Sequence, residues 1–134
     1  MIHIDIMSKE KVHIEYMLNT ASGNIIWNMI STPSGLSNWF ADEVTAQDKI
    51  FTFQWGKSEK KTAELINQRA GSFVRFHWKD DIESKTYFEL RMDYNELTGD
   101  YTLVITDYSE PNEQSDLKEL WNSQIEDLRR VCGL

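Results

Sequence analysis

From about Glu43 to Asp107 the apolar residues recur at every second position, and clusters of turn-forming residues interrupt them about once every dozen residues. A chain patterned in this way is confined to an antiparallel meander. The interruptions are Gly56-Lys57-Ser58-Glu59, Gln68-Arg69-Ala70-Gly71, Lys79-Asp80-Asp81 and the run from Asn95 to Asp100. The spacing predicts strands over 49–55, 61–67, 72–78, 85–93 and 101–107, with a short piece near 43–45.

Alternation assigns the faces. Phe51, Phe53 and Trp55, then Val74, Phe76 and Trp78, then Phe88, Leu90 and Met92, and finally Leu103 and Ile105 share one side. Arg75, His77, Glu89, Arg91 and Asp93 fall on the other. With Ile82 near the middle of its turn, Phe76 faces Phe88, Val74 faces Leu90 and Arg75 faces Glu89. A slip of one residue would lose the apolar and the charge match together.

Before the meander, Val12, Ile14, Tyr16 and Leu18 alternate as a first strand over 12–18. Ser22 is a candidate N-cap for a helix carrying Ile25, Ile26, Met29 and Ile30 at helical spacing. Pro33 ends that helix near Ile30, since it lacks an amide hydrogen and disfavours helical geometry at Thr32. Thr32 and Pro33 then start a second short helix as N-cap and first residue, with Leu36, Trp39 and Phe40 on one face. Counting the first strand, the sheet has six or seven strands.

After Glu110-Pro111-Asn112 the period returns to 3.6. Ser115 is the candidate N-cap, Asp116 and Glu119 lie in the first turn, Arg129 and Arg130 lie in the last, and Gly133 follows as a stop. The helix over 115–131 carries Leu117, Leu120, Trp121, Ile125, Leu128 and Val131 as its apolar stripe, and Gln124 falls within it. A buried amide there needs a protein or water partner, or borders a space where a ligand supplies one.

The chain's 134 residues, 40% of them hydrophobic, suit one domain. Residues 1–7 read as an extension and 8–134 as the domain. With 22 acidic and 14 basic residues and a net charge of −8, a nucleic-acid backbone is disfavoured as a partner. The single Cys132 permits no internal disulfide and fits a reducing cytoplasm. No apolar run reaches the length of a membrane span, and the N-terminal segment lacks a secretory pattern.

Chemistry-bearing patterns are sparse. His3, His13 and His77 are scattered, and neither a metal-ligand spacing, a phosphate-binding glycine loop nor a Gly-x-Ser-x-Gly elbow occurs. No cofactor is predicted. His77 reads as a solvated surface residue, Asp80-Asp81 and Glu110 to Glu113 as solvation, and Glu89 as a surface partner of Arg75. The large rings serve either as ordinary core or as the wall of a pocket, and spacing favours core.

The order of elements nevertheless resembles the START-like (SRPBCC, helix-grip) superfamily, which includes plant pathogenesis-related lipid binders, polyketide cyclase/dehydratases and the activators of the heat-shock chaperone ATPase. The resemblance runs from about Val12 to Leu134. It is carried by Ile26-Trp27, Trp39-Phe40, Phe53-Gln54-Trp55-Gly56, Val74-Arg75-Phe76-His77-Trp78, and Leu103-Val104-Ile105-Thr106-Asp107 before the helix with Trp121.

It implies an α+β helix-grip fold, in which a curved antiparallel sheet wraps a long C-terminal helix and two short helices follow strand one. It also implies a hydrophobic cavity between sheet and helix. Trp39, Phe40, Phe53 and Trp55 are candidate ligand-binding residues, together with Phe76, Trp78, Phe88 and Leu90 on the strands and Trp121 and Gln124 on the helix. Cyclase-like members place polar groups in the cavity, for which Gln124, Tyr101 and Tyr16 are the candidates here. A hydrophobic small molecule is thus the expected partner; a cyclase or dehydratase activity and a co-chaperone-like protein interaction are the alternatives. Aromatics near Trp39 are a candidate homodimer contact.

Overall fold

A computed structural model gives the fold of residues 8–134. The expected extension at 1–7 lies outside the described residues. In chain order the elements are β1 (Glu10–Leu18), α1 (Gly23–Ser31), α2 (Pro33–Leu36), β2 (Glu43–Gln47), β3 (Ile50–Trp55), β4 (Glu59–Arg69), β5 (Phe73–Trp78), β6 (Phe88–Asn95), β7 (Asp100–Ser109) and α3 (Gln114–Cys132).

All seven strands form one antiparallel sheet in the order β1-β7-β6-β5-β4-β3-β2. The meander is sequential from β2 to β7, and β1 closes on β7 with Ile14 opposite Ile105 and Val12 opposite Asp107. The β5–β6 register pairs Phe76 with Phe88, Val74 with Leu90 and Arg75 with Glu89, as alternation predicted. A bulge between Leu65 and Asn67 shifts the β4–β5 pairing and leaves Ile66 exposed. β6 starts at Phe88, not near Lys85, because residues 81–86 are tied into a knot of their own: Thr86 Oγ1 donates to Asp81 Oδ2 at 2.7 Å and to the Glu83 carbonyl at 3.0 Å.

The inner face holds the core. Phe53, Phe76, Phe88, Leu90, Leu103 and Ile105 are fully buried beneath Ile125 and Leu128 of α3, with Trp121 beside them. Burying each such side chain contributes roughly 1.5–3 kcal/mol. α3 lies along β1, where Tyr16 Oη donates to Asn122 Oδ1 at 2.6 Å and Arg129 Nη2 donates to the Met17 carbonyl at 2.7 Å.

The helix corner forms as the sequence predicted. α1 stops at Ser31, and Thr32 Oγ1 accepts from the Gly35 amide at 2.9 Å with Pro33 at the first helical position. Gly35 is required there, since a Cβ would collide with the Asn28 carbonyl. α2 ends at Leu36, so Trp39 and Phe40 enter the core from the following turn and not from a continuing helix.

Several expectations are corrected. On α1, Ile25 is exposed, and Ile26 and Ile30 make the buried line. On α3, Val131 is exposed and Leu120 is 56% exposed, because this helix meets the sheet along the narrower line of Trp121, Ile125 and Leu128. α3 starts one residue earlier than expected, with Glu113 at the N-cap position and no side-chain cap, after a single 3-10 turn (Pro111–Glu113). Its end at Gly133, left-handed with φ 71°, is as expected.

On the outer face Glu89 is buried at 5% exposure, not at the surface. Its two oxygens accept from Arg75 at 2.8 Å and Arg91 at 3.2 Å, and the two guanidinium groups lie over the rings of Tyr87 and Phe73. His77 is half-buried with Nδ1 2.8 Å from the Thr86 carbonyl oxygen, which removes the solvated reading. Trp39 is also buried, its indole N–H donating to the Met29 carbonyl at 2.9 Å, so it offers no exposed homodimer contact.

Candidate functional site

At one end of the inner face the packing opens. Trp55 ends β3, Trp78 ends β5 and Phe88 begins β6, so these three rings stand at one margin of the sheet. Phe40 closes over them from the turn after α2, and Trp121, Leu117, Leu120 and Gln124 face them from the first half of α3. The cleft, open to solvent on one side, has a volume of about 480 Å³. The rings support one another: Trp78 stacks on Phe88 at 4.8 Å between centroids, and Phe40 lies 5.6 Å from Phe88 and 5.7 Å from Trp121.

One backbone atom fixes the span of the cleft. The Phe40 carbonyl accepts from Trp55 Nε1 at 2.9 Å and from Gln124 Nε2 at 3.1 Å, joining sheet, turn and helix. Gln124 therefore satisfies its amide nitrogen within the protein.

Of the ten residues expected to contact a ligand, Phe40, Trp55, Trp78, Phe88, Trp121 and Gln124 line this cleft. Trp39, Phe53, Phe76 and Leu90 do not; they are buried in the packed part of the core. Tyr16 is engaged with Asn122, and Tyr101 packs against Tyr94 at 5.2 Å, so neither hydroxyl is part of the wall.

The wall also contains charged residues that sequence reasoning missed: Asp107, Lys61, Glu59, Lys9 and Asp81. The signal was present for three of them. Asp107 continues the inward phase Leu103-Ile105, and Lys61 and Glu59 continue the phase of Ala63, which lies opposite Phe51. Asp81 and Lys9 are brought in by the knot before β6, which no periodicity encodes.

The two aspartates differ in chemistry. Asp107 accepts from Trp121 Nε1 at 2.9 Å and from the Tyr108 amide at 2.7 Å, both neutral donors. Burial raises its carboxyl to about 6, against those hydrogen bonds and the nearby charges of Lys9 and Lys61. For Asp81 burial acts in the same direction, but hydrogen bonds from Thr86, Lys9 and the Glu83 amide, with the Lys9 charge at 3.0 Å, hold it below its ordinary value. Lys61 places its ammonium 4.2 Å from the Trp78 ring centroid and 3.6 Å from Asp80. One cleft therefore holds a carboxylate with a dedicated counter-ion, Asp81, and another, Asp107, with none in ion-pair contact among the described residues.

A second concavity, about 510 Å³ around the β2–β3 hairpin, is lined by Thr45, Ala46, Gln47, Asp48, Ile50 and Thr52 and presents no ring. Among the described residues no three His, Cys, Asp or Glu side chains gather as metal ligands, and no helix is long and apolar enough to cross a membrane.

A model of the START-like superfamily domain matches residues 6–134. The solution structure of BfR322 from Bacteroides fragilis is 58% identical, with a TM-score of 0.67, over 96% of this chain and 94% of that one. The fold is similar to that of Aha1 from Colwellia psychrerythraea, solved as a dimer, at 12% identity and a TM-score of 0.73, covering 89% and 92% of the two chains. It is also similar to CalU16 from Micromonospora echinospora at 13% identity and a TM-score of 0.70, covering 90% of this chain and 74% of that one. No curated protein matches the sequence.

Proposed function

Because the chain belongs to the START-like superfamily, we propose that its cleft receives a small apolar or aromatic molecule, held by burial between the sheet and the C-terminal helix. The supporting observation is the concentration of five rings, Phe40, Trp55, Trp78, Phe88 and Trp121, around about 480 Å³ of space. The Phe40 carbonyl joins the two sides of that space by accepting from Trp55 and Gln124 at once. Burying about 200 Å² of ligand surface at roughly 25 cal/mol per Å² yields about 5 kcal/mol before ordering costs, which corresponds to modest affinity. The single half-buried Cys132 fits work in a reducing cytoplasm.

The test is nuclear magnetic resonance with a naphthalene-bodied probe. Binding in the cleft shifts the indole N–H signals of Trp55 and Trp121 and leaves that of Trp39 in place. A probe series that moves none of the cleft indoles, together with mass spectrometry finding no co-purified small molecule, sinks the proposal.

One observation favours a second, catalytic reading. Asp107 and Asp81 share a cleft with their proton affinities displaced in opposite directions, an arrangement suited to acid–base work on a bound substrate. This reading requires turnover that follows the titration of Asp107 and is lost in Asp107→Asn. A bound compound recovered chemically unchanged after prolonged incubation argues against it.

A further inference from the structure

The polar groups of the cleft are not neutral in their preference for ligand charge. Lys9 is paired with Asp81 at 3.0 Å, and Lys61 is shared between Asp80 at 3.6 Å and the face of Trp78 at 4.2 Å. Asp107 has only the Trp121 and Tyr108 N–H groups, which leave lone pairs on both oxygens without a donor among the described residues. Gln124 spends a donor on the Phe40 carbonyl, and its amide oxygen accepts no hydrogen bond from the described residues. The wall therefore carries three carboxylates, Glu59, Asp81 and Asp107, against two ammonium groups, Lys9 and Lys61. The aromatic faces beside them are themselves negative at their centres and attract cations.

Lys61 already demonstrates the contact. Its ammonium lies over Trp78, one of the rings of the wall, at a distance typical of a cation–π pair. A side chain bearing a cation over a ring of an aromatic cleft is a tethered competitor for whatever cation enters.

Resting on the apolar-ligand reading above, we infer that the cleft selects ligands in which a protonated amine is attached to an apolar ring system, the ammonium pairing with Asp107 and sharing the Trp78 face with Lys61. An anionic headgroup is the poorer fit, because both lysines are already compensated. A neutral ligand offers Asp107 at most an uncharged donor, whose hydrogen bond is about half as strong as a charge-assisted one.

Three probes of one shape separate the possibilities: naphthylmethylammonium, naphthylmethanol and naphthalene carboxylate, titrated at pH 7 and followed by the Trp121 indole N–H signal and by tryptophan fluorescence. The ammonium is expected to bind about tenfold tighter than the alcohol, the value of one charge-assisted hydrogen bond, and the carboxylate weakest. Asp107→Asn should reduce the ammonium advantage to within about twofold, while Lys61→Met should raise ammonium affinity about threefold by removing the competitor.

The advantage should also decline as pH falls through about 6. The groups facing Asp107 are Lys9 from the segment before β1, Lys61 from β4, Tyr108 on its own strand, and Glu59 and Asp81 across the cleft. Lys9, whose pKa burial lowers but pairing with Asp81 raises above its ordinary value, keeps its charge in that window, and Asp81, held below its ordinary value, remains ionised.

Equal affinity for the three probes, or tightest binding of the carboxylate, overturns the inference and leaves the apolar-ligand reading standing. If no probe moves any cleft indole, both fall. Should Asp107→Asn fail to fold, the Lys61→Met comparison and the pH series in the parent protein decide the matter.

Discussion

The strands that line the cleft also build the solid core, and the two ends of the same sheet behave differently. In β3, Phe51 and Phe53 are buried while Trp55 borders open space; in β5, Val74 and Phe76 are buried while Trp78 does so. Ring chemistry is the same at both ends. What differs is the cover: Ile125 and Leu128 of α3 are sealed into the core at the closed end, whereas the first half of the helix is tied by Gln124 and Trp121 to Phe40 and Asp107 and leaves the cleft beside those ties. A cavity in this fold results from where the helix is tethered, and large side chains alone neither make nor fill it.

The largest expected effect is at the closed end. Phe76→Ala should cost about 3–5 kcal/mol in urea unfolding, because the vacated space is surrounded on every side. Trp78→Ala removes a bigger side chain from the open end and should cost about 2 kcal/mol, since the void is already continuous with the cleft. If the two substitutions cost the same, the ends are not different in kind.

Asp107→Asn gives a smaller effect with a definite sign. The folded carboxyl titrates near 6, above its ordinary value of about 4, so the folded state retains a proton that the unfolded chain releases. Stability of the parent therefore falls as pH rises through that window. The displacement from about 4 to about 6 is worth roughly 2–3 kcal/mol at pH 7, and the N–H bond that an Asn amide nitrogen cannot accept takes back about 1 kcal/mol. The variant should therefore be more stable than the parent at pH 7 by about 1–2 kcal/mol and less stable than it below pH 4 by about 1 kcal/mol, read from urea midpoints at the two pH values. A variant less stable than the parent at pH 7 contradicts this. Leu120→Ser, at the exposed rim of the cleft, should change stability by less than about 0.5 kcal/mol while weakening capture of an apolar probe.

The fold was legible because both of its periods are strong. The match of Phe76 with Phe88 and Arg75 with Glu89 set the register, and Thr32-Pro33 set the corner, each through local chemistry that tertiary packing reinforces. The cleft was legible only in part. The rings were named, but alternation gives a side and not a depth, so Phe53 and Trp55 read alike although one is sealed and the other open.

Asp107 stood in phase with Leu103 and Ile105 and could have been read as inward-facing. An acidic residue at a strand end passes for a solvated one unless that phase is carried to its last residue. Asp81 had no such signal. Its placement depends on the local knot with Thr86 and Glu83, whose form is not periodic. The buried state of Glu89 likewise depends on two arginines closing over it from neighbouring positions, which pairing alone does not express.

The Phe40 carbonyl has a consequence for how this protein can change over time. Its acceptor belongs to the main chain, so replacing the residue at that position alters the ring yet keeps the latch between Trp55 and Gln124. Descendants of this sequence are free to exchange the furniture of the chamber, and with it the guest, while its doorframe keeps the same width.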